Sequence, residues 1–199
     1  TPDADQHLIK VMSVGVCGSD MHAYLGHDDR RPAPLILGHE AAGVIVGGPR
    51  DGERVTVNPL VACGTCPACK SGRDNLCPER MIISMPPREG AFAQFIAMRG
   101  DNLVTVPNHV SLDAASLAEP IACGWHTVKL AKEALSGSAK TALVIGGGAI
   151  GLGAALSLAA QGLSNVTIVE PNALRSDVLN TQCGQTAISP DDLSGDAMF

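Results

Sequence analysis

A chain of 199 residues that is 45% hydrophobic and 17% charged can bury a sizeable core, so it suits one large or two smaller globular domains and not a disordered tail. Its formal net charge of -6 comes from scattered side chains with no Lys/Arg block, and one Trp, one Tyr and three Phe leave little to stack on bases, which argues against nucleic acid as a partner. Seven cysteines, an odd number and mostly clustered, argue against a secreted disulfide framework and for reduced thiolates held as metal ligands, as in a cytoplasmic protein.

The opening "TPDADQHLIKVM" has no basic start followed by an apolar core, so no signal peptide is expected. Over residues 1–120, short apolar runs such as "AAGVIVGG", "RVTVN" and "AFAQFIAM" are broken by Gly/Pro turns with no long amphipathic helix among them, which predicts a β-rich domain. It contains "VCGSDMH", with Cys17, Ser19, Asp20 and His22, and "LGHE", with Gly38, His39 and Glu40. No spacing rule joins these two motifs. Between about residues 60 and 80 runs "CGTCPACKSGRDNLC", where Cys63, Cys66, Cys69 and Cys77 can surround one Zn²⁺ tetrahedrally. Four thiolates leave no open position, so this is expected to be a structural site pinning a lobe that lacks its own core.

The texture changes after "AEPIACGWH". Glu119 is either a helix-start acid or a ligand, and Pro120 belongs in the first turn of a helix running through "IACGWHTVKLAKEAL". Then follow a strand in "TALVIGGG", a helix in "AIGLGAALSLAAQG" stopped by Gly162, and a strand in "NVTIVE". Strand, helix, strand at this spacing begins a parallel sheet over residues 121–199. The segment from Ala142 to Ala160 carries no charge and mimics a membrane span, but its five glycines in eight positions fit a strand, a tight turn and a buried helix, so no membrane partner is expected. Gly146, Gly148 and Gly151 fit G-x-G-x-x-G between the strand and helix, and Glu170 ends the next strand. The glycines would admit a pyrophosphate to the helix N-terminus, and an acid at 170 would accept ribose hydroxyls and repel a 2′-phosphate, favouring NAD over NADP. Together with Glu119, the side chains of "VCGSDMH" and "LGHE" supply the soft, imidazole and carboxylate donors of an open catalytic zinc, which needs three protein ligands and leaves a position for water or substrate.

In this order, "CGSDMH", "LGHE", the four-cysteine lobe, "EP" and "GGGAIG" resemble the zinc-dependent medium-chain dehydrogenase family, in its sorbitol (polyol) dehydrogenase form. The resemblance covers nearly the whole chain. It implies an α/β protein with a β-rich GroES-like catalytic domain (1–120) followed by a Rossmann-type NAD-binding domain (121–199). It implies two Zn²⁺ per chain, NAD as coenzyme, a small alcohol or polyol as substrate, and a homo-oligomer, dimer or tetramer. Cys17 and His39 take the positions of catalytic zinc ligands, and Glu119 that of a direct or water-bridged ligand alternating with Glu40. Ser19 takes that of the proton-relay hydroxyl, with His22 at the relay's outer end. Asp20 is expected to hold the loop, Cys123 and His126 to line the nicotinamide pocket, and Arg175 to contact the adenosine ribose. Simple alcohols or threonine are alternative substrates, and a zinc-stabilised module without turnover is the alternative to an enzyme. The chain starts without a methionine, has a short "GGPRDGERV" loop, and stops at "DAMF", where the family would begin another strand. The Rossmann domain is therefore expected to be only partly present.

Overall fold

The computed structural model describes residues 2–135 and 138–193; the closing "DAMF" lies outside the described residues. The chain divides into two compact units, Thr1–Glu119 and Pro120–Phe199.

The first unit is built on a five-stranded antiparallel sheet. Its strands are β1 (Gln6–Gly15), β2 (Glu40–Val46), β3 (Arg54–Val57), β6 (Phe95–Arg99) and β7 (Leu103–Thr105), in the order β6-β1-β2-β3-β7. A short ladder of β4 (Leu60–Val61) and β5 (Met81–Ile82) brackets the cysteine lobe. Three short helices complete the unit: α1 (Gly18–Tyr24), α2 (Pro67–Lys70) and α3 (Leu112–Ser116). Ile9, Ile45, Val55, Ile83 and Met98 are buried together as its main core, and Ala42, Val106 and Ala115 form a second cluster beneath α3.

One irregularity aims the end of this sheet. The register of β1 against β2 shifts between Val11 and Ser13, a β-bulge. Strict alternation would send Val11 and Val14 to opposite faces, yet both pack on the main core. Beyond the bulge, Ser13 pairs with Ala42 and Gly15 with Glu40, on the face that carries α3, where Ser13 Oγ lies 3.4 Å from Ser116 Oγ. The bulge thus decides which residue stands opposite Glu40.

The expected strand in "AFAQFIAM" is only half a strand of the sheet, because its first residues are bonded elsewhere. Gly90, Ala91 and Phe92 donate their N–H groups to the carbonyls of Ile36, Gly38 and Leu37, at 2.7, 2.8 and 2.9 Å. This short pairing fixes the segment that presents His39.

The second unit begins in α4 (Ala118–Ala134) and continues β8 (Ala142–Ile145), α5 (Ala149–Ala160), β9 (Val166–Val169), α6 (Ala173–Thr181) and β10 (Thr186–Ile188). Its three strands are parallel in the order β10-β9-β8. Ala155, Val166, Ile168, Leu179 and Ala187 form the core between sheet and helices. Two parallel crossovers in this order make one mononucleotide-binding half of a doubly wound fold. Pro120 is in the first turn of α4, and Gly162, at φ +91°, follows the end of α5 as a left-handed stop. No helix among the described residues is long and apolar enough to cross a membrane.

Within this unit α4 and α5 cross where both lack side chains. A Cβ on Gly124 would lie 2.5 Å from the Ala154 nitrogen and 2.7 Å from the Gly153 carbonyl oxygen. Backbone cannot step aside as a side chain does, so Gly124→Ala must push the helices apart. It is expected to cost about 1–3 kcal/mol, the usual range for overpacking, measured as a lowered thermal midpoint of the purified chain. An unchanged midpoint would show that the crossing tolerates a methyl group.

Candidate metal centre and coenzyme turn

Two groups of potential metal donors stand out among the described residues. In each, the donor atoms all lie within 4.8 Å of one another: Cys63, Cys66, Cys69 and Cys77, and separately Cys17, His39 and Glu40. Glu119, in the first turn of α4, stands outside the second group.

The four-cysteine group is assembled by turns. Cys66 caps α2, accepting the Cys69 N–H on its sulfur at 3.5 Å, and Cys63 Sγ accepts the Cys66 N–H at 3.4 Å. Cys63 and Cys66 sulfurs lie 3.9 and 3.4 Å from that of Cys69. Tetrahedral zinc at its usual bond length to sulfur holds thiolates about 3.8 Å apart, so the four residues fit that ion. The backbone N–H groups of Thr65 and Cys66 hold the Cys63 thiol down to about 6, whereas burial and the adjoining Cys66 sulfur push Cys69 up to about 12. A set of thiols that cannot all ionise unaided is what a bound dication resolves, since coordination deprotonates a thiol outright.

The second group is assembled by one carboxylate. Cys17 is the N-cap of α1, and Asp20 in that helix, only 2% exposed, accepts the Cys17 N–H on Oδ2 at 3.0 Å. Its Oδ1 accepts the Gly38 N–H at 3.1 Å and the Ser84 hydroxyl at 3.5 Å. His39 Nδ1 stands 3.5 Å from the same oxygen, buried and without a hydrogen-bond partner. Gly38 reaches this position at φ +92°, with the Phe92 ring 2.8 Å from where a Cβ would be. Glu40 follows at the start of β2 and is 5% exposed. Ser19 Oγ is likewise buried with no partner. A thiol, a buried imidazole and a buried carboxylate with donor atoms within 4.8 Å of one another fit a divalent ion with an open coordination position. His22 is exposed one turn beyond Ser19, its ring centroid 6.3 Å from that of His27.

In the second unit the three fingerprint glycines have different reasons to be glycine. Gly146 takes φ +95°; Gly151 lets α5 approach so closely that any Cβ would meet the Gly146 carbonyl; Gly148, the N-cap of α5, has open space beside it. Glu170 follows β9, is 3% exposed, and turns its carboxylate back onto the glycine turn. Oε2 accepts the Gly147 N–H at 2.8 Å and Arg175 Nη1 at 3.0 Å, and Oε1 accepts the Asn172 N–H at 2.8 Å. The Asn172 N–H, then Arg175 and the Gly147 N–H, hold its carboxyl below the usual range. An ionised carboxylate offers about four acceptor positions; three are taken here, and the side chain is only 2% exposed. Cys123 and His126 are exposed on α4.

Sequence reasoning missed Gly15, Ser84 and Phe92 in the first unit and Gly147 in the second. Ser84 is buried at φ +66° and bonds Asp20 from 64 residues away. None of these belongs to a motif with a mechanism of its own, so only the folded contacts single them out.

Comparisons with known proteins agree with this arrangement. Residues 3–108 match the family described as the alcohol dehydrogenase GroES-like domain. Sorbitol dehydrogenase of Bacillus subtilis is 42% identical over 180 residues, covering 86% of this chain and 50% of the relative. L-galactonate-5-dehydrogenase of Escherichia coli is 35% identical over 195 residues, covering 95% and 56%. Among solved structures, a zinc-binding dehydrogenase from Sinorhizobium meliloti bound to NADP superposes with a TM-score of 0.83 at 30% identity, covering 96% of this chain and 56% of that one. The chain spans about half the length of the curated relatives it matches. With its GroES-like sheet, its two donor groups and its glycine turn, the chain belongs to the zinc-type medium-chain alcohol and polyol dehydrogenase family.

Proposed function

We propose that this chain carries the catalytic domain (1–120) and the first half of the NAD-binding domain (121–199) of an enzyme that oxidises a secondary alcohol, a polyol or sugar alcohol, with transfer of hydride to NAD. The observation that carries the reading is the open group of Cys17, His39 and Glu40, distinct from a closed four-cysteine group. A protein that used zinc only for stability would have no need of the first group. The relatives named for sorbitol and L-galactonate favour a polyhydroxylated substrate.

Cys17, His39 and Glu40 would hold the catalytic zinc, with Glu119 as the alternate or water-bridged donor. Zinc bound there would supply a Lewis acid that lowers the pKa of a substrate hydroxyl. Ser19 relays the proton of that hydroxyl, its Oγ accepting it as its own hydrogen moves outward, and His22, one helical turn further and exposed, takes up the relayed proton and releases it to solvent. Asp20 fixes the backbone of Cys17 and Gly38, and its Oδ1 stands 3.5 Å from His39 Nδ1. Gly146, Gly148 and Gly151 admit the coenzyme pyrophosphate to the N-terminus of α5, Glu170 takes the adenosine ribose, and Arg175 holds Glu170. Cys123 and His126 line the nicotinamide side. A homo-oligomer and the reducing cytoplasm complete the proposal, the latter suited to clustered thiols that serve as metal donors. The test is reduction of NAD on a panel of polyols by the protein that carries this chain, with NAD preferred over NADP; preference for NADP would remove Glu170 from its ribose role.

The four-cysteine group is proposed to act on stability alone. The chain should bind two zincs, one for each donor group. Cys66→Ser should lose the structural zinc and lower the thermal midpoint, as measured by metal analysis and calorimetry; a zinc-depleted variant melting with the parent would contradict this.

Glu119→Gln tests the alternate donor. Ligand and outer-shell changes at zinc sites cost about 10–100-fold, so turnover should fall at least about tenfold while the fold and the structural zinc persist. Parental zinc content together with parental turnover would reduce Glu119 to an acid placed favourably at a helix start.

A further inference from the structure

We infer that Gly15 is a positioning residue of the open donor group: its missing side chain is the space in which the Glu40 carboxylate stands beside Cys17 and His39. Gly15 does not take a left-handed conformation; it is ordinary strand backbone at the end of β1 that any residue could adopt. The reason for glycine there is therefore room. Directly opposed side chains of an antiparallel pair normally keep their Cβ atoms about 4.5–5.5 Å apart. A Cβ on Gly15 would lie 3.1 Å from Glu40 Cβ and 3.2 Å from Glu40 Cδ, and would fall on Glu40 Oε2. The Glu40 side chain thus lies folded across Gly15 while offering an oxygen within 4.8 Å of the Cys17 and His39 donors. A methyl group at position 15 fills that place and turns the carboxylate away from the other two donors. The bulge between Val11 and Ser13 sets the register that brings Gly15 opposite Glu40.

The inference rests on the reading of Cys17, His39 and Glu40 as a metal site, and the test separates the two. The chain, Gly15→Ala, Glu40→Ala and the double variant are stripped of the weaker-held metal with a chelator and titrated with Co²⁺, followed by visible absorption. Gly15→Ala should weaken Co²⁺ binding by about tenfold or more and change the absorption band, whereas the same substitution in the Glu40→Ala background should change neither. A merely structural glycine would weaken binding equally in both backgrounds, and that result, or an unaltered Gly15→Ala, would overturn the inference. If Gly15→Ala does not fold, Gly15→Ala combined with Glu40→Gly must fold, since that change removes the Cβ 3.1 Å away as well as the carboxylate; failure of both would also overturn it. A parent chain that takes up no Co²⁺ at this group would overturn the metal reading itself.

Discussion

The Asp20 carboxylate is the interaction on which the open donor group depends. A buried carboxylate is costly unless hydrogen-bonded, and Asp20 meets that cost with the backbone N–H groups of Cys17 and Gly38, 18 residues beyond it, and the Ser84 hydroxyl. Those are the residue at the start of α1, the residue before His39, and a buried turn from the far side of the cysteine lobe. One side chain therefore ties together three segments that no regular ladder joins. The protein spends its own hydrogen bonds on placing a thiol and an imidazole before any ion is considered.

Glycine supports this arrangement in physically different ways. Gly38 supplies a backbone angle, leading the chain past Phe92 into His39. Gly15 supplies volume for Glu40. Gly151 and Gly124 supply close approach, of α5 to the turn before it and of α4 to α5. In each case a methyl group meets a different obstacle: a torsional barrier, a movable side chain or a fixed backbone. Only the movable side chain can be relieved by a second substitution, which makes the Gly15–Glu40 pair separable from general stability.

Much of the architecture was legible in the sequence because its signals are local. Thiols spaced as Cys63, Cys66, Cys69 and Cys77 can converge through turns alone, and a glycine run between an apolar strand and a helix announces a βαβ unit with Glu170 at the end of its second strand. The open group was legible only through the resemblance, since 22 positions separate Cys17 from His39 and the carboxylate joining them bonds backbone, which leaves no trace in residue spacing. The half-strand in "AFAQFIAM" shows the limit from another side. Alternation cannot reveal that Gly90, Ala91 and Phe92 bond the segment before His39 in place of the main sheet. Gly147 was passed over because the fingerprint counts its neighbours, yet its N–H holds Glu170.

The two donor groups differ in what builds them, and this bears on what each can do. Between residues 62 and 80 only Cys77 is buried, so the cysteine lobe has no apolar core and only a four-residue helix and short turns to hold it. Its order on the proposed reading comes from the ion, as in small domains where metal binding is the folding free energy. The open group sits instead at the end of a five-stranded sheet whose core includes Ile9, Ile45 and Val55, each at most 1% exposed. Its donors are held by that sheet, by the bulge and by Asp20 whether or not an ion is bound. A site kept in shape by protein can release and rebind a ligand without unfolding, the condition for turnover, whereas a lobe kept in shape by its metal cannot.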